Sequence, residues 1–167
     1  MPPVCGAPAA RHPRTSLCRV RLLTWTFAAY LAAVGVVTLW PSPQSTAAPG
    51  WATATLDALQ ALGVPMTLAV LEASANVVMF LPFGVLGLPL LRGRVALRGG
   101  RPPGVLRAVG LVTLAAAALS TAIELTQNLL PGRVPTVQDV VLNTAGALLG
   151  ALAAGAVAAV AARRVSR

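Results

Sequence analysis

The sequence predicts an all-α fold, a polytopic transmembrane helical bundle with four spans. Of its 167 residues, 56% are hydrophobic and only 10% are charged. Soluble domains carry about 25% charged residues, so this chain has too few charges to cover a surface that faces water. The second observation is that apolar runs of roughly 18 or more residues, the usual mark of a membrane span, occur repeatedly along the chain.

The predicted spans each cover a hydrocarbon core of roughly 30 Å at about 1.5 Å per helical residue. They are 22–40, 73–91, 108–127 and 140–162. We therefore expect one transmembrane domain, 22–162, between a disordered basic tail, 1–21, and a second basic tail, 163–167. The first span could instead be a signal peptide cleaved near 44–48, but its apolar core is longer than such peptides usually have.

The arginines predict the orientation of the bundle. All of them except Arg133 fall in three alternate segments, 11–21, 92–107 and 163–167. Because basic residues are enriched in cytoplasmic loops, both termini and the 92–107 loop are expected in the cytoplasm. The net charge of +9 thus has a topological explanation, and no nucleic-acid motif accompanies it, so no nucleic-acid partner is expected.

The acidic residues have the opposite distribution. The chain has 4 of them, and all belong to the outer side or its edge in this orientation. They are Asp57, Glu72, Glu124 and Asp139. Trp25 and Trp40 bracket the first span, as residues of an interfacial belt do.

Local patterns predict several details of the bundle. Residues 53–63 have leucines at near-helical spacing before Gly63, which indicates a short helix at the outer interface or in an ordinary loop. Pro65 is suited to the first turn of an early-starting second span. Pro82 predicts a kink, because it removes a backbone donor inside that span. The small residues around Gly146 and Gly150 predict close contact between helices.

Metal and cofactor sites are not expected. Cys5, His12 and Cys18 all lie in the basic tail, on the reducing side, where neither a disulfide nor a metal site is favoured.

Polar residues from three helices are predicted to converge at the outer face. Glu124 is expected six residues below the end of a helix that reaches Leu130, with Gln127 one turn further on. Asp139 and Asn143 are four apart at the start of the last helix. Asn76 and Arg133 complete the candidate site. Thr136 is the candidate N-cap of the last helix.

This group has two interpretations. An ionised acid at membrane depth costs about 2.5–3.5 kcal/mol at the centre, so Glu124 should face the bundle interior and be protonated or find a cation. Convergent ionisable groups of this kind favour a binding site. The alternative is that the amides only bridge helices and that Arg133 only neutralises Glu124.

The order of these motifs resembles the VanZ-like family of small membrane proteins. The resemblance covers roughly residues 22–162 and rests on "NVVMFLPFG" (76–84), "STAIELTQ" (120–127) and "GRVPTVQDVVLNTAGALLG" (132–150). The matching positions are Asn76, Phe80, Pro82, Gly84, Ser120, Glu124, Gln127, Arg133, Asp139, Asn143, Gly146 and Gly150. The family takes its name from a protein associated with low-level resistance to the glycopeptide teicoplanin.

The resemblance implies a multi-pass protein of the bacterial cytoplasmic membrane. The expected role is to bind or shield an envelope component, either an acylated glycopeptide or a lipid-linked wall precursor, with membrane lipids as surroundings. An enzyme that modifies a lipid-linked head group through Glu124 or Asp139 is the main alternative. The outer face has no histidine and no cysteine, which favours a non-enzymatic role. A structural subunit of an envelope complex is a third possibility, and the oligomeric state is left open.

The orientation has a direct test. Alkaline phosphatase is active only outside the cytoplasm, so a fusion at Gly132 should be active and a fusion at Gly100 inactive. The measurement is phosphatase activity normalised to the amount of fusion protein. The reverse pattern would contradict both the orientation and an outer-face site.

Overall fold

In the computed structural model of the protein, the described residues form five helices and no strand. The described residues are 13–39, 50–129 and 136–165, and the side chains of 13–15, 51–52 and 165 are not described. The helices are α1 (Pro13–Leu39), α2 (Gly50–Ala61), α3 (Leu68–Leu97), α4 (Val105–Gln127) and α5 (Val137–Val165). Four of them, α1, α3, α4 and α5, are long and apolar enough to cross a membrane, which confirms the predicted spans.

Each long helix extends beyond the apolar run that predicted it. α1 begins at Pro13, inside the segment predicted to be a disordered tail, so residues 13–21 are helical instead. Proline suits the first helical position because its missing N–H would have no partner there. α3 and α5 continue past their apolar runs and include arginines in their last turns. The negative end of the helix dipole stabilises these positive charges.

The short helix α2 confirms the helix predicted over 53–63. It ends at Ala61, and Gly63 then adopts a positive φ of 75°. The N–H of Val64 donates to the carbonyl of Leu59 at 3.0 Å, which closes the turn in the manner of a glycine C-cap. α3 begins after Thr67, whose hydroxyl accepts from the N–H of Val70. Pro65 therefore precedes the helix and does not belong to its first turn.

The two ends of the bundle differ in charge. We call the end where α1 and α4 finish and α3 and α5 begin the acidic end, and the opposite end the basic end. Glu124 and Asp139 lie at the acidic end, on α4 and α5. The described arginines lie at the basic end: Arg19, Arg21, Arg92, Arg94, Arg98, Arg101, Arg107, Arg163 and Arg164. The assignment of the basic end to the cytoplasm stays a prediction.

Helices α3 and α5 run parallel and make the closest contact in the bundle. Gly84 of α3 faces the backbone of Ala147 and Ala151, and Gly146 and Gly150 of α5 face the carbonyls of Val77 and Leu81. A methyl group at any of these glycines would overlap backbone atoms of the facing helix. The small-residue face predicted on the last span is thus confirmed as a helix-packing surface.

The other helices pack around this pair. α4 contacts both α3 and α5 through a core that includes Ala108, Val112 and Ala116, while α1 packs mainly on α3. Phe27 of α1 lies edge-on against Phe83 at 5.1 Å between ring centroids. Tyr30 donates a hydrogen bond from its hydroxyl to the carbonyl of Met79 at 2.8 Å, so α1 is also held by a polar contact.

Helix α3 contains two prolines and continues through both. Phe80 is fully buried beside Pro82, and the helix extends past Pro89 to Leu97. Each proline leaves one carbonyl of the preceding turn without its usual helical donor. The kink expected at Pro82 stays a prediction.

The glycine contact has a measurable consequence for stability. Gly150→Ala should lower the free energy of unfolding by about 1–3 kcal/mol, because its methyl group would force α3 and α5 apart. Gly110→Ala is the matched control: it lies in α4 with no atom near the added methyl, and should gain up to about 1 kcal/mol from helix propensity. Thermal unfolding in detergent measures both, and equal effects would contradict the packing role.

Candidate functional site

The acidic end gathers polar side chains from all four long helices. Five of the predicted site residues lie there, and each makes a hydrogen bond to another helix or to the N-cap of α5. They are Asn76, Glu124, Gln127, Asp139 and Asn143. Arg133, the sixth, lies outside the described residues. We call this group, together with Ser120, Thr38 and Thr136, the polar cluster.

Glu124 lies one turn from the end of α4 and is buried, with 8% of its surface exposed. The prediction that it lies six residues below the helix end is wrong, because α4 ends at Gln127 and Asn128 is its C-cap. Its carboxylate Oε2 accepts a hydrogen bond from the backbone N–H of Thr136 at 3.0 Å. The acid therefore fixes the point where the chain enters α5.

Asp139 lies in the first turn of α5 and connects it to α3. Its carboxylate Oδ1 accepts from the amide Nδ2 of Asn76 at 2.6 Å, and both side chains are half-buried. The hydroxyl of Thr136 accepts from the backbone N–H of Asp139 at 3.1 Å, which confirms Thr136 as the N-cap. A negative charge here is also stabilised by the positive end of the helix dipole.

One turn deeper, Asn143 of α5 donates from Nδ2 to the hydroxyl of Ser120 on α4 at 2.9 Å. Both residues are buried, with 4% and 0% of their surfaces exposed. The other amide atom of Asn143, Oδ1, is buried and accepts no hydrogen bond from the described residues. An unsatisfied acceptor at a buried position costs about 1–3 kcal/mol, so this oxygen is a position where a donor would be stabilised.

Gln127 connects the cluster to α1. Its amide Nε2 donates to the backbone carbonyl of Thr38 at 2.7 Å, and both residues are buried. Thr38 is the last residue but one of α1, and its own hydroxyl donates within that helix to the carbonyl of Val34. The sequence did not predict Thr38 as a member of the site, since a backbone acceptor has no residue-type signal.

Two sequence-predicted features lie outside the cluster. Glu72, one of the acidic residues assigned to the outer side or its edge, is exposed and lies one turn nearer the end of the bundle than Asn76. Five motif residues follow the cluster toward the middle of the membrane: Gly84, Gly146 and Gly150 pack α3 against α5, the ring of Phe80 stacks on that of Phe83, and Pro82 lies between these two phenylalanines in the sequence. These five motif residues position the polar side chains and do not belong to the group that could contact a ligand.

Chemically, the described cluster presents mainly acceptors. Two carboxylates and the buried amide oxygen of Asn143 lie at one end of the bundle, and the amide groups of Asn76, Gln127 and Asn143 each donate one hydrogen bond, to another helix. Among the described residues of this end, no arginine is present. The arrangement suits a ligand that brings hydroxyl or amide donors.

Four apolar helices with polar side chains gathered at one end define a small polytopic membrane protein. The sequence model of the VanZ/LLP1 family matches residues 27–158, from the middle of α1 to the second half of α5. The chain belongs to the VanZ/LLP1 family, and the resemblance inferred from its motifs is confirmed. No curated protein and no solved structure matches the chain.

The bond between Asn76 and Asp139 can be measured by a double-mutant cycle. Asn76→Ala and Asp139→Ala each remove one partner, so their effects on the free energy of unfolding should be non-additive by about 0.5–2 kcal/mol. A control cycle pairs Asp139→Ala with Glu72→Ala, whose exposed side chain should give additive effects. Unfolding in detergent supplies the values, and an additive first cycle would show that the bond contributes nothing to stability.

Proposed function

We propose that the protein binds an envelope component through the polar cluster, at the outer face of a bacterial cytoplasmic membrane. The observation that supports the proposal is the convergence on one end of two carboxylates and a buried, unsatisfied amide oxygen. Packing alone does not require this set, because the small residues of α3 and α5 already hold the helices together. Ionisable groups inside a membrane bundle are costly, and they commonly mark functional sites.

The chemistry of the cluster favours ligands that carry hydroxyl and amide groups. Sugars and peptides donate hydrogen bonds of the kind that Asp139, Glu124 and the Asn143 oxygen accept. Lipid-linked wall precursors and acylated glycopeptides both combine such a head group with a lipid chain, and that chain would lie in the bilayer beside the helices.

An anionic part of the ligand would require a different residue. The described acidic end contains carboxylates but no arginine, so a phosphate would be repelled there. Arg133 belongs to the connection between α4 and α5, whose described flanks are Leu129 and Thr136. We assign Arg133 to the anionic group on the basis of its place in the sequence.

The alternative is a membrane enzyme that modifies a lipid-linked head group with Glu124 or Asp139 as general base. A general base needs a carboxylate oxygen within about 2.6–3.2 Å of the proton that it removes. Glu124 already accepts from the Thr136 N–H and Asp139 from Asn76, so both carboxylates have a structural role. Binding without turnover is therefore the simpler proposal.

The test compares two acids at the same end of the bundle. Asp139→Asn keeps an oxygen that can accept from Asn76 but removes the charge, and should weaken ligand binding by roughly tenfold. Glu72→Gln removes an exposed charge nearby and should change the affinity by less than about twofold. The measurement is binding of teicoplanin, and separately of a lipid-linked wall precursor, to the protein in nanodiscs. Equal effects of the two variants would contradict the proposed site.

Incubation of the same ligands with the wild type separates binding from catalysis. Mass spectrometry should recover each ligand unchanged. If the wild type consumes a ligand and Glu124→Gln does not, while the affinity of that variant stays within a few-fold, the enzyme alternative is correct.

A further inference from the structure

We propose that the basic end contains a binding site for an anionic phospholipid, in a cleft between α1, α3 and α5. This inference is independent of the proposed function, because it concerns the opposite end of the bundle and other residues. The cleft has a volume of about 710 Å³, within the range of roughly 300–1,000 Å³ that is usual for small-molecule sites.

The cleft exists because α1 and α5 both pack on α3 without contacting each other. Among the described residues, no Cα atom of α1 lies within 8 Å of one in α5. On the α1 side, Gly93 of α3 allows Val20 to approach, and Arg94 donates to the hydroxyl of Thr24 at 3.3 Å. α1 is thus held against one side of α3, and the side toward α5 stays open.

The walls of the cleft are apolar and its rim is basic. The apolar wall toward α3 and α1 includes Leu23, Val85, Leu88 and Pro89, and the wall toward α5 is built of small residues: Ala153, Ala154, Val157, Ala158 and Ala161. Two arginines, Arg19 of α1 and Arg92 of α3, complete the lining at the basic end, and no acidic residue is among the lining residues. A ligand that fits must be apolar along most of its length and negative at one end.

Arg92 supplies a second observation. Its Nε is buried and makes no hydrogen bond with any described residue, although the side chain lines the cleft. A buried unsatisfied donor is costly, and more so on a charged group. Arginine binds phosphate best through two parallel N–H groups, and because Arg92 lines the cleft, its guanidinium group would bind a phosphodiester there.

These features favour a phospholipid over a free anion or a zwitterionic lipid. A free phosphate would use the arginines but leave the apolar walls in contact with water. Basic pockets between transmembrane helices bind acidic lipid head groups, and an acyl chain is the natural occupant of an apolar groove that is open to the bilayer. In the predicted orientation the basic end lies in the cytoplasmic leaflet, where anionic lipids attract basic residues.

The experiment measures lipid binding to the full chain in detergent, by native mass spectrometry and by thermal shift. Phosphatidylglycerol should bind and stabilise the protein, whereas phosphatidylcholine with the same acyl chains should bind at least roughly tenfold more weakly. Arg92→Gln and Arg19→Gln should each weaken phosphatidylglycerol binding by about tenfold. Arg107→Gln is the charge-matched control, because Arg107 is exposed at the same end but does not line the cleft, and it should bind like the wild type.

A second pair of variants tests the cleft by filling it with a bulky side chain, without changing the charge. Ala153→Phe would place a ring in the cleft and should abolish tight binding, whereas Ala118→Phe, at an exposed position of α4 outside the cleft, should not. If Arg92→Gln fails to fold, lipid binding by this pair of variants and by Arg19→Gln still tests the site.

Equal binding of the two lipids, equal loss in Arg107→Gln or unchanged binding in Ala153→Phe would each overturn the inference. Inorganic phosphate alone should not stabilise the protein at the concentration where the lipid does. If it does so equally, the site is one for free anions.

Discussion

The contact between the backbones of α3 and α5 determines what the rest of the bundle can do. Short polar side chains such as Asn76 and Asp139 meet directly only when the helices that carry them lie very close together. Glycines at positions 84, 146 and 150 permit that approach, and no larger residue could replace them without moving a helix. Because lipid offers no hydrophobic drive for helix association, dispersion contacts at such a surface are a main source of stability in a membrane bundle.

The polar cluster adds a second layer of connections to this contact. Asn76 with Asp139 joins α3 to α5, Ser120 with Asn143 joins α4 to α5, and Gln127 joins α4 to α1. The bridging of helices by the amides is thus compatible with a binding site: Asn76 holds the carboxylate of Asp139, and the Thr136 N–H holds that of Glu124. A site whose side chains are fixed in advance loses less conformational entropy when a ligand binds.

Residue types and their spacing along the chain predicted most of the helices and the packing face. The contacts that depend on how the helices are arranged in space were predicted less well. Long apolar runs identified α1, α3, α4 and α5, glycine spacing identified the packing face, and the threonine before α5 was recognised as its cap. The predicted helix ends were less accurate. An arginine ends an apolar run in the sequence, but it does not end a helix, and α3 and α5 both continue through arginines at the basic end.

Three features could not have been predicted, and each has a physical reason. The carbonyl of Thr38 accepts from Gln127 because of where α1 ends, and every residue has such a carbonyl. Glu72 shares a helical stripe with Asn76 but is exposed, since Asp139 meets α3 at Asn76, one turn deeper in the bundle. The cleft beside Arg92 results from the absence of contact between α1 and α5, which no local pattern records.

The pairing of α3 with α5 also determines the order in which the protein can assemble. The chain enters the membrane from its N-terminus, so α3 and α4 are synthesised before their main partner, α5. Until the last helix arrives, Asn76 and Ser120 lack their partners, and Glu124 lacks the Thr136 N–H. The polar cluster is therefore completed only when α5 inserts, and a nascent chain stalled before α5 would hold polar groups at membrane depth without the partners that α5 and its N-cap supply.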